Sequence, residues 1–351
     1  MPTIYDVAKQ AAVSVATVSR AFRGHAYVRP EVRDRVLAAA KELGYRPNRV
    51  ASALAGGKTN ALGLLVPSSM SNPFYGAMAE HLALYASELG FELLIGLPAR
   101  PTLESYVSAL MDLEDRHVDG LLICADAETV LEYSQARREA SPPMVAIGCS
   151  PDVDVPVVTV DEEEGGYLMT QHLLSLGHRA IGFLCLWQME VRLWGREHGY
   201  VRAMVEAGLK PVIHHGMANL EGGHDGVRGL LGRAGGLTAI MCHNDMAAIG
   251  ALQGLYEAGV RVPEDVAVAG FDNLTQSRYA IPPLTTVNLQ VREMARLAIE
   301  ALQQSFSPGE RDAMKERILL NPTLVVRDST GCGGAGERVG SERSMVTDRQ
   351  A

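Results

Sequence analysis

Along the first 45 residues, apolar side chains recur three or four positions apart in three short stretches. Ile4, Val7, Ala8 and Ala11 share one face behind Thr3, and Asp6 stands where a capping box places its acid, so a first helix of about two turns is predicted. A turn at Ala12-Val13 leads to Ser14, a good cap for a second helix over 15–22. In that helix Val18, Ala21 and Phe22 can face inward, leaving Val15, Ala16, Thr17, Ser19 and Arg20 pointing away. Pro30 suits the first position of a third helix, which carries Val32, Val36, Ala40 and Leu43 inward and stops at Gly44. Three short helices with a tight turn between the first two make a helix-turn-helix, and the outward side of the second has the small, hydroxyl and guanidinium groups that a DNA major groove requires.

From Ala61 the pattern changes to short apolar runs alternating with amphipathic helices. Strand candidates are 62–66, 91–95, 120–124, 144–147 and 157–160, followed by a second series at 180–184, 212–213, 239–242 and 266–269. Intervening helices stop at Gly90, Gly177, Gly208 and Gly259. Nearly continuous apolar strands separated by helices predict parallel sheets covered on both faces, and two series predict two lobes. The fold class is therefore α/β, an all-α helix-turn-helix head on a two-lobed body with parallel sheets. Ligands of such sheets sit beyond the carboxyl ends of the strands, which directs attention to Asn72-Pro73-Phe74-Tyr75, Arg196, His243-Asn244-Asp245 and Phe271-Asp272-Asn273. Together these supply fork donors, acceptors and a flat apolar face for a polar ring. Asn244-Asp245 equally suit the cap of the helix that begins there, and Asp272 a turn.

Between head and body, Asn48 to Ala55 is too short for a stable isolated helix and is broken by Gly56-Gly57. Gly56-Gly57-Lys58-Thr59 imitates the end of a phosphate-binding loop, but Ser52 stands where its leading glycine belongs.

Charge sharpens this division. The 351-residue chain carries a net −9, yet residues 1–60 hold ten Lys/Arg against four Asp/Glu, a net of +6 that leaves −15 on the rest. A basic head on an acidic body presents only the head to phosphates. No secretion signal or membrane-length apolar run is evident, which predicts a cytoplasmic protein with no membrane partner. The five cysteines, Cys124, Cys149, Cys185, Cys242 and Cys332, form no paired motif, so no metal or cofactor is expected and most should be buried small hydrophobes.

Thr3-Ile4-Tyr5-Asp6-Val7-Ala8, Val13 to Arg20, Gly44-Tyr45-Arg46-Pro47-Asn48 and Val50-Ala51-Ser52-Ala53-Leu54 closely resemble the lactose-repressor/galactose-repressor family, and the likeness continues to about Arg327. The resemblance implies a dimeric transcription repressor that binds a palindromic operator duplex, with a periplasmic-binding-protein-like body that takes a small effector, preferably a sugar or glycoside. It implies DNA contacts from Thr3, Tyr5, Ser14, Val15, Ala16, Thr17, Ser19, Arg20, Arg23, Asn48 and Arg49, with Val15-Ala16 setting specificity in the galactose-repressor manner. It further implies a hinge helix that pairs across the dimer and wedges Leu54, with Ala51 beside it, into the minor groove. Arg196 and Asp272 fall on the effector-gripping Arg and carboxylate, Asn244 on the amide position and Phe74 on the aromatic or apolar floor, and Asn72 is counted with them as an effector contact. Departures are Arg23 for a usual Asn, Arg29 where a capping Ser is common, Gly148, Ala218 for an aromatic platform, and Leu289; Trp187 or Trp194 could replace the missing stacking surface. The domains are drawn as head 1–46, hinge and linker 47–59, effector domain 60–327, and a disordered tail 328–351. Within the effector domain the first lobe takes about 60–160 and 290–318, the second about 161–289 and 319–327.

Two other readings remain beside it, a solute-binding protein of transport type and a nucleoside or purine effector in place of the sugar. An enzyme is not expected. Glu162-Glu163-Glu164 reads as a solvated helix start, His214 and His215 point to opposite faces of a strand, and no nucleophile–base arrangement is recognisable. The tail lacks heptad leucines, so a dimer is the simplest assembly.

Overall fold

Helices α1 (Ile4–Gln10), α2 (Val15–Phe22) and α3 (Pro30–Leu43) pack around Val7, Ala8, Ala11, Val18, Ala21, Val36, Ala39 and Ala40, all buried. The computed structural model describes residues 2–22, 28–45, 59–67, 72–138, 141–149, 152–186, 195–233, 236–306 and 317–331. The Thr3–Asp6 capping box is present, with the Thr3 amide donating to Asp6 Oδ2 at 2.8 Å and the Asp6 amide to Thr3 Oγ1 at 3.4 Å. Gln10 Nε2 donates to Glu42 Oε2 at 2.5 Å, tying α1 to α3. Arg29 gives α3 no side-chain cap, and Gly44 ends that helix at φ +63°. Two inward assignments shift by a fraction of a turn. Ala39 takes the buried place beside Val36 and Ala40 while Val32 and Leu43 are half-buried, and Val15 leans on the head core instead of pointing fully away.

The body begins with β1 (Ala61–Leu65), α4 (Pro73–Glu88), β2 (Glu92–Gly96), α5 (Leu103–Asp115), β3 (Gly120–Ile123), α6 (Ala127–Ala136), β4 (Met144–Ile147) and β5 (Val157–Val160). The chain then crosses to α7 (Glu162–Ser175), β6 (Ile181–Leu186), α8 (Gly195–Glu206), β7 (Val212–Gly216), α9 (Leu220–Arg233), β8 (Ala239–Cys242), α10 (Asp245–Glu257), β9 (Ala267–Ala269), α11 (Thr275–Tyr279) and β10 (Thr286–Asn288). It returns as α12 (Val291–Gln304) and β11 (Arg317–Leu320), and ends with β12 (Thr323–Val325). The first sheet is parallel in the order β11-β5-β4-β3-β1-β2, the second parallel as β7-β6-β8-β9, and β10 pairs antiparallel with β12. Gly90, Gly177, Gly208 and Gly259 all take positive φ at helix ends, as their positions require. Cys124, Cys149 and Cys242 are buried thiols. No described helix is long and apolar enough to cross a membrane.

Three short strands, β10, β11 and β12, were not foreseen. Because β11 runs to Leu320 in the first sheet, the chain leaves that lobe there and not at 318. Residues 328–331 also depart from the expected tail. They form a short 3-10 turn in which Ser329 is buried, its hydroxyl donating to the Val268 carbonyl at 2.6 Å and its amide to Pro283 at 2.9 Å. The three crossings are laced together, with the Asp161 amide donating to the Leu320 carbonyl at 3.0 Å and the Gln290 amide group to the Asn321 carbonyl.

In the second lobe the helices pair through glycines. A Cβ on Gly166 would lie 2.2 Å from the Arg196 carbonyl and one on Gly199 2.0 Å from that of Glu163, so α7 and α8 touch backbone to backbone. Helices α9 and α10 meet in the same way at Gly223 and Gly250.

Candidate functional site

Once the head core is buried, α2 retains an outward side on which Ala16 and Arg20 are exposed and Val15, Thr17 and Ser19 half-buried. Ser14 caps the helix, its Oγ accepting from the Thr17 amide at 3.1 Å and lying 2.9 Å from the Thr17 hydroxyl. Those two hydroxyls are thus already oriented. Tyr5 stands 71% exposed on α1. Arg20 makes no hydrogen bond or ion pair with another described residue.

The second site lies beyond the strand ends. Arg196, at the start of α8, is 8% exposed. Its Nη1 donates to the His243 carbonyl at 2.6 Å and lies 3.5 Å from Asp272 Oδ1; its Nη2 donates to Glu162 Oε1 at 2.7 Å. The guanidinium sits 4.1 Å above the Phe271 ring. Asp272 follows β9 at a left-handed φ of +111° and is 4% exposed. Burial raises its carboxyl well above the usual range, opposed by Arg196 and reinforced by the neighbouring acids Asp245 and Glu162. His243 is driven the other way by burial and by Arg196, and is therefore neutral. Arg196 Nε, His243 Nδ1 and Asp272 Oδ2 are buried without a hydrogen-bond partner. Three such atoms around one guanidinium are a set of unmet donors and acceptors that a polar ligand would complete.

From the first lobe, Asn72 caps α4 by accepting from the Phe74 amide at 3.0 Å, and its amide also acts on Asp272. Phe74 stands edge-on to Tyr75 at 5.3 Å. Burial raises the Tyr75 hydroxyl, with Cys124 and Asp272 adding to the shift and Arg196 opposing it, which sets this phenol beside the charged pair. Asn244 serves the fold as well: Oδ1 accepts from the Ala247 amide at 2.8 Å and Nδ2 donates to the Ala218 carbonyl at 3.0 Å. Leu289 is buried in the core.

Residues 3–48 match the model of bacterial regulatory proteins, lacI family, and residues 170–330 that of the periplasmic binding protein-like domain. The chain is 36% identical to the HTH-type transcriptional regulator DegA of Bacillus subtilis, over 93% of this chain and 98% of that protein. The chain belongs to the lacI family of bacterial regulatory proteins. Another relative is the HTH-type transcriptional repressor PurR of Haemophilus influenzae, 31% identical over 94% of this chain and 98% of that one. The lac repressor dimer bound to operator and the anti-inducer ONPF superposes with a TM-score of 0.85 at 28% identity, covering 94% of this chain and 99% of that one. As a lacI-family member the chain is a DNA-binding transcription regulator with an effector-binding domain, and not an enzyme.

Of the residues expected at the two sites, Arg23, Asn48, Arg49, Ala51, Leu54 and Trp194 lie outside the described residues, as does Trp187. Thr3, Tyr5, Ser14, Val15, Ala16, Thr17, Ser19 and Arg20 all belong to α1, α2 and their caps. Asn72, Arg196 and Asp272 come together across the lobes, with Phe74 next to Tyr75. Glu162 was missed. It does not sit at a merely solvated helix start, since it holds Arg196 while Glu163 and Glu164 hold Arg202 at 2.6 and 3.0 Å. A run of acids at the start of α7 and two arginines on α8 were the available signal, but pairing them requires the glycine-mediated approach of the two helices.

Proposed function

We propose that this lacI-family chain acts as a cytoplasmic homodimer that represses transcription at a palindromic operator, and that a sugar or glycoside held between the lobes controls its grip. In this reading Arg20 reads a base edge and Val15-Ala16 make the close approach. Thr3, Tyr5, Ser14, Thr17, Ser19, Arg23, Asn48 and Arg49 hold phosphates, while Ala51 and Leu54 enter the minor groove. The head takes residues 1–46, the hinge and linker 47–59, and the effector domain follows from 60. Arg196 donates and Asp272 accepts on neighbouring hydroxyls, with Phe74, and Trp194 if it reaches the ring, as the apolar floor.

The observation that carries the effector assignment is the buried, incompletely satisfied group of Arg196, Asp272 and His243 at the strand ends. Exposed apolar side chains on both lobes, Leu84, Ile95 and Leu97 on the first and Tyr256, Tyr279 and Ile281 on the second, offer faces for a second copy. The likeness to PurR favours a second reading in which a purine or nucleoside fills the cleft. A thermal-shift panel of sugars, glycosides, nucleosides and purines separates the two, because a specific ligand raises the unfolding temperature with its concentration. The hit is then titrated into Arg196→Ala and Asp272→Ala by calorimetry. Normal affinity in both variants removes these residues from the site.

A further inference from the structure

We propose that Asp245 is the positioning residue of the effector site, holding the Gly270–Leu274 turn in the backbone conformation that aims Asp272 at Arg196. The proposal rests on the reading of Arg196 and Asp272 as the effector grip. Asp245 stands at the first position of α10, where the helix dipole favours an acid, but it is wholly buried, which is unusual for a carboxylate. Three donors surround its carboxylate. Oδ2 accepts from the Leu274 amide at 2.8 Å and from the Ser277 hydroxyl, and Oδ1 accepts from the Thr286 hydroxyl at 2.6 Å. Its own amide donates to the Phe271 carbonyl at 2.7 Å.

These contacts enclose the turn carrying Asp272. Asp272 and Asn273 are consecutive residues at positive φ, +111° and +56°, a conformation that side-chain-bearing residues keep only when their surroundings enforce it. The enforcement comes from both flanks. The Thr286 hydroxyl, while donating to Asp245, accepts from the Asn273 amide at 3.3 Å. The Asp272 amide donates to the Val287 carbonyl at 2.9 Å, and Arg327 Nη2 donates to Asn273 Oδ1 at 2.7 Å. Gly270 leaves room for this wrapping, since a Cβ there would lie 2.2 Å from Asp245 Oδ1. The same three-residue segment addresses the other half of the grip, for the His243 carbonyl accepts from Arg196. The segment 243–245 therefore holds the cation with a backbone oxygen and the anion's turn with a side chain.

Asparagine is a poor substitute at this position, because its amide turns a donor toward either the Leu274 amide or the Thr286 hydroxyl. The test is hydrogen exchange on the full-length protein without ligand, comparing wild type with Asp245→Asn and with Gly270→Ala, which disturbs the same contact from the opposite side. Exchange across 270–277 is expected to accelerate about tenfold in both variants, with strands β6 to β8 and the head unchanged. In the same variants, affinity for the sugar or purine identified by the thermal-shift panel falls about tenfold while operator affinity stays at the wild-type value. Unaltered exchange at 270–277, or equal acceleration throughout the second lobe, overturns the proposal. If Arg196→Ala and Asp272→Ala bind the ligand normally, the effector-site reading fails instead, and the exchange measurement still decides whether Asp245 holds the turn.

Discussion

Arg20 and Arg196 are the same residue type at the two proposed working surfaces, and they are prepared in opposite ways. Arg20 stands exposed on α2 without a described partner, whereas Arg196 is buried among a carbonyl, two carboxylates and an aromatic ring. A group that meets a large charged polymer in solvent needs only a stiff helix beneath it, since the partner brings the counter-charge. A group that grips a small neutral molecule must be desolvated beforehand, and its charge has to be balanced inside the protein. The contrast predicts where each arginine matters: Arg196 for stability and ligand response, Arg20 for sequence preference alone.

The sharpest way to break this contrast is Arg196→Ala. Removing the cation leaves Glu162 and Asp272 facing each other, and loss of one partner from a buried ion pair costs about 3–5 kcal/mol. The lower end is expected because the Asp272 carboxyl, already raised by burial, can take up a proton. Urea unfolding of the full chain measures this; a change too small to detect would mean that the site is solvated. Gly199→Ala comes next, at about 1–3 kcal/mol, since the new methyl meets the Glu163 backbone carbonyl and not a side chain that could turn aside. Arg20→Ala should leave the unfolding curve unchanged and remove about 1–3 kcal/mol of preference for operator over random duplex. Competition binding at fixed salt reads this directly, and an unaltered preference would make Arg20 a phosphate contact only.

The smallest effect is a pH dependence. Stability contributed by protonated Asp272 is fully present below its unfolded pKa of about 3.9 and is lost as pH rises through its raised folded value. Neutral His243 has the opposite sign: its contribution is present above about 6.5 and is lost on acidification. Asp272→Asn should therefore remove only the decline toward high pH, and melting curves from pH 5 to 8 would show an unchanged profile if the carboxyl is ionised throughout.

Much of this architecture was legible from spacing. Every strand of the two apolar series is present, the first two head helices begin at the caps Thr3 and Ser14, and the third runs from Pro30 to Gly44, because burial on both faces and cap chemistry leave local marks. Strands β10, β11 and β12 escaped notice for the converse reason. Thr286-Val287-Asn288 is short and polar, and β11 is an edge strand whose residues alternate between exposed and half-buried. At the cleft, Arg196, Asp272 and Asp245 were marked by their place after strands, but Glu162 was not, nor was the part that Asp245 plays in holding the turn. Those two roles depend on contacts with α8, α11 and β10 that no local pattern encodes.

The glycine contacts between α7 and α8 give this arrangement a mechanical character. The Arg196 carbonyl rests against Gly166 and the Glu163 carbonyl against Gly199, so at these two points backbone meets backbone with no side chain interposed. Helix α7 in turn starts one residue past Asp161, whose amide is bonded to Leu320 at the crossing between lobes. If Arg196 grips the effector as proposed, a ligand-driven shift of the α8 backbone at Arg196 presses on α7 like one meshed tooth on the next, and so bears on the segment that leads into the crossing.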